Sequence, residues 1–199
     1  VIYDLNKSNF LNNLYDYAFL IIFLITLPII YFNYEAIIFF NLIVIISSVV
    51  ILFKPNFYRK KIFLFVILTF IQNFFAVLLN SREVFYFIFF IAFFNDTIAY
   101  IFGKWMKGPL IIPIISPKKT WSGTTLSFIL TFIIILLFDY PLILSILLSL
   151  SLFLGDIFFS FIKRNYNLKD FSNILGGHGG ILDRLDSMFI FIIIMNFYI

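Results

Sequence analysis

Seven apolar stretches recur along the chain, at about 14–32, 36–53, 62–79, 84–102, 124–138, 142–162 and 181–199. A helix needs about 20 residues to cross a hydrocarbon core of about 30 Å, and only the fifth stretch is on the short side. Backbone groups in lipid must be satisfied within the protein, and these stretches are too long for barrel strands, so helices are expected. Composition agrees: 63% of the 199 residues are hydrophobic and 12% charged, where soluble domains carry about 45–50% and about 25%. That excludes a soluble domain, a disordered chain and a coiled coil. The expected fold class is all-α, a polytopic integral membrane bundle of about seven transmembrane helices. The first stretch lacks a small-residue cleavage site and is read as a true span rather than a signal peptide.

The loops between these stretches sort by charge. Lys54, Arg59, Lys60 and Lys61 lie between spans two and three, Lys104, Lys107, Lys118 and Lys119 between four and five, and Lys163, Arg164 and Lys169 between six and seven. Alternation puts all three clusters on one face, with Lys7. The opposite loops hold Glu35, Arg82, Glu83 and Asp139. The positive-inside rule places the basic face in the cytoplasm, and in a bacterial cell that means the inner membrane. The net charge of +4 then points to anionic headgroups or an anionic substrate rather than to nucleic acid. With no cysteine, disulfides, zinc–thiolate sites and thiol catalysis are excluded. Two long cytoplasmic loops, about 103–123 and 163–180, hold every glycine except Gly155. The expected organisation is an N-terminal group of about three spans over 1–83 and a catalytic membrane domain over 84–199.

Acid enters the membrane at one level. Asp96 and Asp156 each lie about six residues before the cytoplasmic end of their spans, roughly 10 Å deep at 1.5 Å per residue. Asp183 and Asp186 fall in the first two turns of span seven, on one helix face. A carboxylate at the centre of a spanning helix costs about 2.5 kcal/mol or more. The ordinary reading is that each pairs with a nearby base, for instance Asp183 with Arg184 or Lys163. Four at one depth favour a polar cavity, open to the cytoplasm, that binds a divalent cation. Mg²⁺ suits carboxylate oxygens and commonly accompanies polyphosphates. Ser116-Pro117-Lys118-Lys119-Thr120 flanks this level, and Asp156, Ser160 and Lys163 share a helical stripe. Carboxylates for metal beside cations for phosphate describe nucleotide-phosphate chemistry, although a solvated basic loop would also account for the lysines. Gly176-Gly177-His178-Gly179-Gly180 precedes span seven. It is either a plain flexible loop or a backbone that exposes N–H groups to a ligand. His178, the single histidine, would bond phosphate, shuttle a proton or merely cap the loop.

Ser160, Lys163-Arg164, Lys169-Asp170, Ser172 and Gly176-Gly177-His178-Gly179-Gly180 followed by Asp183-Arg184 and Asp186 resemble the signature of the phosphatidate cytidylyltransferase family. Asn95-Asp96-Thr97, Ser116-Pro117-Lys118-Lys119-Thr120-Trp121 and Gly155-Asp156 are similar to further blocks of that family, so the resemblance covers roughly 95–187. Ser122 stands where the family usually has Glu, Gly176 often corresponds to Pro, and the N-terminal part is shorter than usual. The resemblance implies transfer of a cytidylyl group from CTP to phosphatidate, giving CDP-diacylglycerol and pyrophosphate. It also implies a homodimer in the bilayer and a Mg²⁺-dependent site with a second cation, K⁺. Carried over, Asp156 and Asp183 are the main metal carboxylates, with Asp96 and Asp186 in the same cavity. Lys118, Lys119, Lys163, Arg164 and Arg184 meet phosphates. Ser116, Thr120, Lys169, Gly179 and Gly180 complete the substrate site, and His178 joins the catalytic set. The nucleophile, a phosphate oxygen, is already anionic and needs no strong base. Competing expectations are a CTP-dependent polyprenol or phytol kinase, which would release CDP instead of pyrophosphate, and a cation transporter.

Overall fold

A computed structural model describes residue 21 and residues 57–165, 168, 170–171 and 182–199. The expected spans at 14–32 and 36–53 lie outside the described residues, apart from residue 21. The described elements run in the order α1 (Phe57–Asn80), α2 (Arg82–Met106), β1 (Leu110–Ile112), β2 (Ser116–Thr120), α3 (Trp121–Leu137), α4 (Leu142–Asn165), α5 (Leu182–Leu185) and α6 (Met188–Tyr198). The chain is thus mostly helical. Among the described residues, Arg82–Met106 and Leu142–Arg164 are long and apolar enough to cross a membrane. The 17 residues of α3 rise only about 25 Å at 1.5 Å per residue.

Two departures from the sequence expectation stand out. The loop expected at 103–123 is not irregular. Its first residues finish α2, and the rest forms an antiparallel hairpin pairing Leu110 with Thr120 and Ile112 with Ser116. Ile111, Ile112, Ile114 and Ile115 are β-branched, which favours a strand, and Pro113 lies between the two strands. The second departure is in the seventh stretch, which is two helices broken at Asp186–Ser187. The Asp186 carboxylate accepts the Ser187 N–H at 2.9 Å, so a side chain takes the donor that helical continuation would have used.

Contacts divide the chain into two compact units. One contains Glu83–Lys169 and Arg184–Met195. Its helices are apolar outward, and α3 and α4 also turn hydroxyls inward, beside buried Ile135, Leu148, Leu152 and Phe159. On α4, Leu142, Ile143, Ile146, Leu147, Leu150 and Leu154 are exposed, while Ser145, Ser149 and Ser160 are buried. On α3, Ser127 and Thr131 are buried and Ile129, Ile133 and Leu137 exposed. A water-soluble bundle would reverse this pattern. The Asn95 side chain accepts from the Thr131 hydroxyl at 3.4 Å, tying α2 to α3. Close approach also depends on small residues: a Cβ on Gly123 would lie 2.5 Å from the Ala99 carbonyl oxygen and 2.9 Å from Gly103 Cα. Rings fill the remaining space. Phe87 packs on Phe138, Tyr140 and Phe191, and Phe158 stacks on Phe189 at 5.7 Å.

The described part of the other unit is 57–82, 170–171, 182–183 and 196–199. There Thr69, Gln72 and Asn73 of α1 are buried among Val66, Ile67, Leu68, Phe70, Ala76 and Val77. Asn196 at the end of α6 donates to the Asn73 side-chain oxygen at 2.8 Å and to its carbonyl at 3.2 Å. In an apolar surrounding each of these amides needs the other.

Candidate active site

The site is built on the inward faces of α2, α3 and α4 and on the end of β2. Asn95, Asp96, Ala99 and Tyr100 come from α2, Lys119 and Thr120 from β2, Thr124 and Ser127 from α3, and Phe153 and Asp156 from α4. They line a half-open cavity of about 210 Å³. Each side chain is placed by local structure. Asn95 donates to the Asp96 carboxylate at 3.4 Å, so the Thr131–Asn95 contact orients the acid beside it. Ser160, one turn beyond Asp156, donates to its carboxylate at 3.3 Å. The Thr120 hydroxyl caps α3 by accepting the Gly123 N–H at 3.3 Å. Ser122 donates to that hydroxyl at 3.3 Å and accepts the Gly108 N–H at 3.2 Å. A side chain on Gly108 would meet the Ser122 oxygen at 2.6 Å, so serine fits a tight corner here.

Lys119 forms an ion pair with Asp156. Its ammonium also lies 5.8 Å from the centre of the Phe153 ring. Asp96 has no comparable basic partner among the described contacts and shares the cavity with Asp156. Behind them Lys163 pairs with Asp186 at 3.2 Å, both buried. The carboxylates of Asp96, Asp156 and Asp186 are close enough to repel one another electrostatically. The arrangement thus concentrates negative charge on the helices and answers it with two lysines.

The other expected site residues divide into three groups. Arg164, expected on phosphate, uses its Nε on the Ile115 carbonyl at 3.1 Å and its Nη1 on the Leu168 carbonyl at 2.9 Å, bracing the hairpin. Ser116 opens β2 and does not line the cavity. Asp183 belongs to the other unit, where its carboxylate accepts the Phe171 N–H at 2.9 Å. Lys163, one of the bases offered as a partner for Asp183, makes an ion pair with Asp186. Lys118 and Arg184 have described backbone in β2 and α5, but their side chains lie outside the described residues. Lys169, His178, Gly179 and Gly180 lie wholly outside them. Tyr100, which with Ala99 belongs to the same family-like block as Asp96, lies on the cavity wall, and the sequence reading missed Thr124, Ser127 and Phe153 there. A signal was present: Thr120, Thr124, Ser127 and Thr131 recur at helical spacing along an otherwise apolar helix.

Among the described residues no cluster of three or more carboxylates or imidazoles could hold a metal ion alone. The donors present do suit Mg²⁺. They are hard oxygens, two carboxylates face one cavity, and hydroxyls lie beside them. Mg²⁺ is usually held by one or two carboxylates and completes its shell with water and substrate phosphate.

Comparison with known proteins decides the kinship. The sequence model of the cytidylyltransferase family matches residues 4–199. The chain belongs to the cytidylyltransferase family. Within that family it is similar to the phosphatidate cytidylyltransferase of Rickettsia bellii, at 43% identity over 47% of this chain and 47% of the relative. The Rickettsia conorii protein of the same name is 37% identical over 50% of each chain. The one from Staphylococcus saprophyticus is 38% identical over 55% of this chain and 46% of the relative. The chain therefore spans about half the length of the curated relatives it matches.

Proposed function

We propose that this chain carries the catalytic part of a phosphatidate cytidylyltransferase, acting on CTP and phosphatidate to give CDP-diacylglycerol and pyrophosphate. One observation carries the reading: two intramembrane carboxylates and a lysine face a single cavity among helices whose outer surfaces are apolar. Such a cavity suits a reaction between a water-soluble polyanion and a lipid phosphate. Family membership and the names of the relatives support the same reading.

In the proposed reaction a phosphate oxygen of phosphatidate attacks the α-phosphorus of CTP. The new P–O bond forms as the bond to pyrophosphate breaks, and pyrophosphate leaves with the electron pair. Because the nucleophile is an anion, the chain has to supply positive charge and alignment rather than a base. Lys119 meets the phosphates of CTP, and Lys118 and Arg184 extend that cationic surface. Asp156 and Asp96 hold Mg²⁺, with Asp183 as a further ligand. When bound, the ion would neutralise phosphate charge and align the two reactants. Ser160 fixes the rotamer of Asp156, and the Lys163–Asp186 pair holds the turn between α5 and α6 against α4. We further propose the seven-span topology with the cavity open to the cytoplasm at the inner membrane, a homodimer, and K⁺ as a second cation.

The test uses the purified chain in detergent with Mg²⁺, CTP labelled at the α or the γ phosphorus, and as acceptor either phosphatidate or a polyprenol or phytol. The expected result is label in the lipid phase from α-labelled CTP, and labelled pyrophosphate with unlabelled lipid from γ-labelled CTP. Label entering lipid only from the γ position would make the protein a lipid kinase. Absence of transfer from either position would overturn both enzymatic readings.

A further inference from the structure

The hairpin presents the wrong surface for water. Ile114 at its tip is 87% exposed, and beside it Leu110 is 42%, Trp105 75% and Met106 53% exposed. Residues 110–115 read Leu-Ile-Ile-Pro-Ile-Ile, where a turn in water would carry polar residues. Around this apolar knob stand exposed Lys104 and Lys107. No acidic residue occurs between Asp96 and Asp139. The knob is also held in place. Arg164 binds the Ile115 carbonyl at 3.1 Å, Trp121 donates to the Pro109 carbonyl at 2.9 Å, and Ile115 closes the turn onto Ile112 at 3.1 Å. The tip therefore stays extended and does not fold its apolar side chains back onto the protein.

We propose that this knob is an interfacial anchor, seated at the headgroup–acyl boundary of the anionic bilayer that α2 and α4 cross. Three features select that occupant. The knob is continuous with the end of α2, a helix of membrane-spanning length. Tryptophan at such an end prefers the membrane–water interface. The lysines, with no acid near them in sequence, match an anionic lipid surface. A symmetrical contact with a second copy would instead bring Lys104 and Lys107 against their own counterparts. The proposal goes beyond the catalytic reading and stands or falls apart from it. It has one structural consequence: β2 runs from the anchored tip to Lys119 in the cavity, so a single strand links the leaflet surface to the site.

The chain contains no cysteine, so Ile114→Cys and, separately, Leu110→Cys create unique labelling sites. Asp139→Cys, on an exposed turn after α3, serves as the water-facing reference. Each variant of the 199-residue chain is labelled with a polarity-sensitive fluorophore and placed in phosphatidylcholine vesicles with or without phosphatidylglycerol. Aqueous iodide, equilibrated across the vesicle membrane so that it meets both faces, should quench the probe at 114 and at 110 several-fold less than at 139. Lipid spin-labelled near the headgroup should quench it several-fold more, most strongly with phosphatidylglycerol present. Equal iodide quenching at 114 and 139 would overturn the anchor. Shielding from both iodide and spin-labelled lipid would overturn it too, because protein would then cover the tip. Lipid quenching that is indifferent to phosphatidylglycerol would overturn the role given to Lys104 and Lys107.

Discussion

Gly155 is the point at which a single methyl group tests the site. It lies on α4 next to Asp156, and a Cβ built there would sit 2.8 Å from the Ser187 carbonyl oxygen and 3.0 Å from that of Asp186. Ordinary contact begins near 3.4 Å, so Gly155→Ala demands a displacement of about 0.6 Å. Both obstacles are backbone oxygens and cannot rotate away. Overpacking of this kind costs about 1–3 kcal/mol, while alanine in a helix returns about 1 kcal/mol of propensity. The net loss of stability is therefore modest, about 2 kcal/mol at most. The effect on the site is larger in proportion. The shift would move Asp186 relative to Lys163, now 3.2 Å apart. If 1 Å of misplacement costs about 100-fold in rate, 0.6 Å costs about tenfold. The assay pairs thermal unfolding in detergent with the rate of cytidylyl transfer at saturating CTP. A variant that melts higher than the parent and keeps its full rate would refute the rigid contact between α4 and the 186–187 turn.

Three further outcomes follow from the same geometry. Lys163→Met leaves Asp186 buried without its ion-pair partner and should cost about 3–5 kcal/mol of stability, with Lys163→Met/Asp186→Leu regaining most of it; unfolding midpoints of the two variants check this. Lys119→Gln should weaken CTP binding and, by releasing Asp156, raise the affinity of the nucleotide-free protein for Mn²⁺ used in place of Mg²⁺, read by electron paramagnetic resonance; unchanged Mn²⁺ affinity would contradict competition between the lysine and the cation. Asn196→Leu should lower thermal stability by roughly 0.6–2 kcal/mol through loss of the amide pair with Asn73, while cytidylyl transfer persists.

Much of the site could be read in the sequence because charge inside a lipid-facing helix has few innocent explanations. Asp96 and Asp156 were picked out by depth alone, and the structure brings both to one cavity with Lys119. The stripe of Asp156, Ser160 and Lys163 was legible for the same reason, and Ser160 does bond Asp156. Partner choice was not legible. Lys163 pairs with Asp186, whose carboxylate also accepts the Ser187 N–H in the turn at 186–187, and nothing in local spacing announces that turn. Arg164 shows a similar gap, since its guanidinium is spent on backbone carbonyls that no side-chain pattern reveals. The hairpin was obscured because five apolar residues around a proline carry no helical or alternating period. The hydroxyl stripe on α3 was visible but small polar residues draw less notice than charges.

The shortness of α3 has a consequence for the lipid rather than for the protein. A span of about 25 Å stands beside α2, whose 25 residues rise nearly 38 Å at 1.5 Å each. Hydrophobic mismatch of this sign is relieved by thinning the adjacent bilayer, at a fraction of a kcal/mol per Å. The thinned patch would border the end of α3 that carries Thr120 and Thr124, at the mouth of the cavity. If α3 crosses the bilayer, a lipid headgroup there would sit lower than elsewhere in the leaflet, and the membrane itself would shorten the distance from its surface to Asp96 and Asp156.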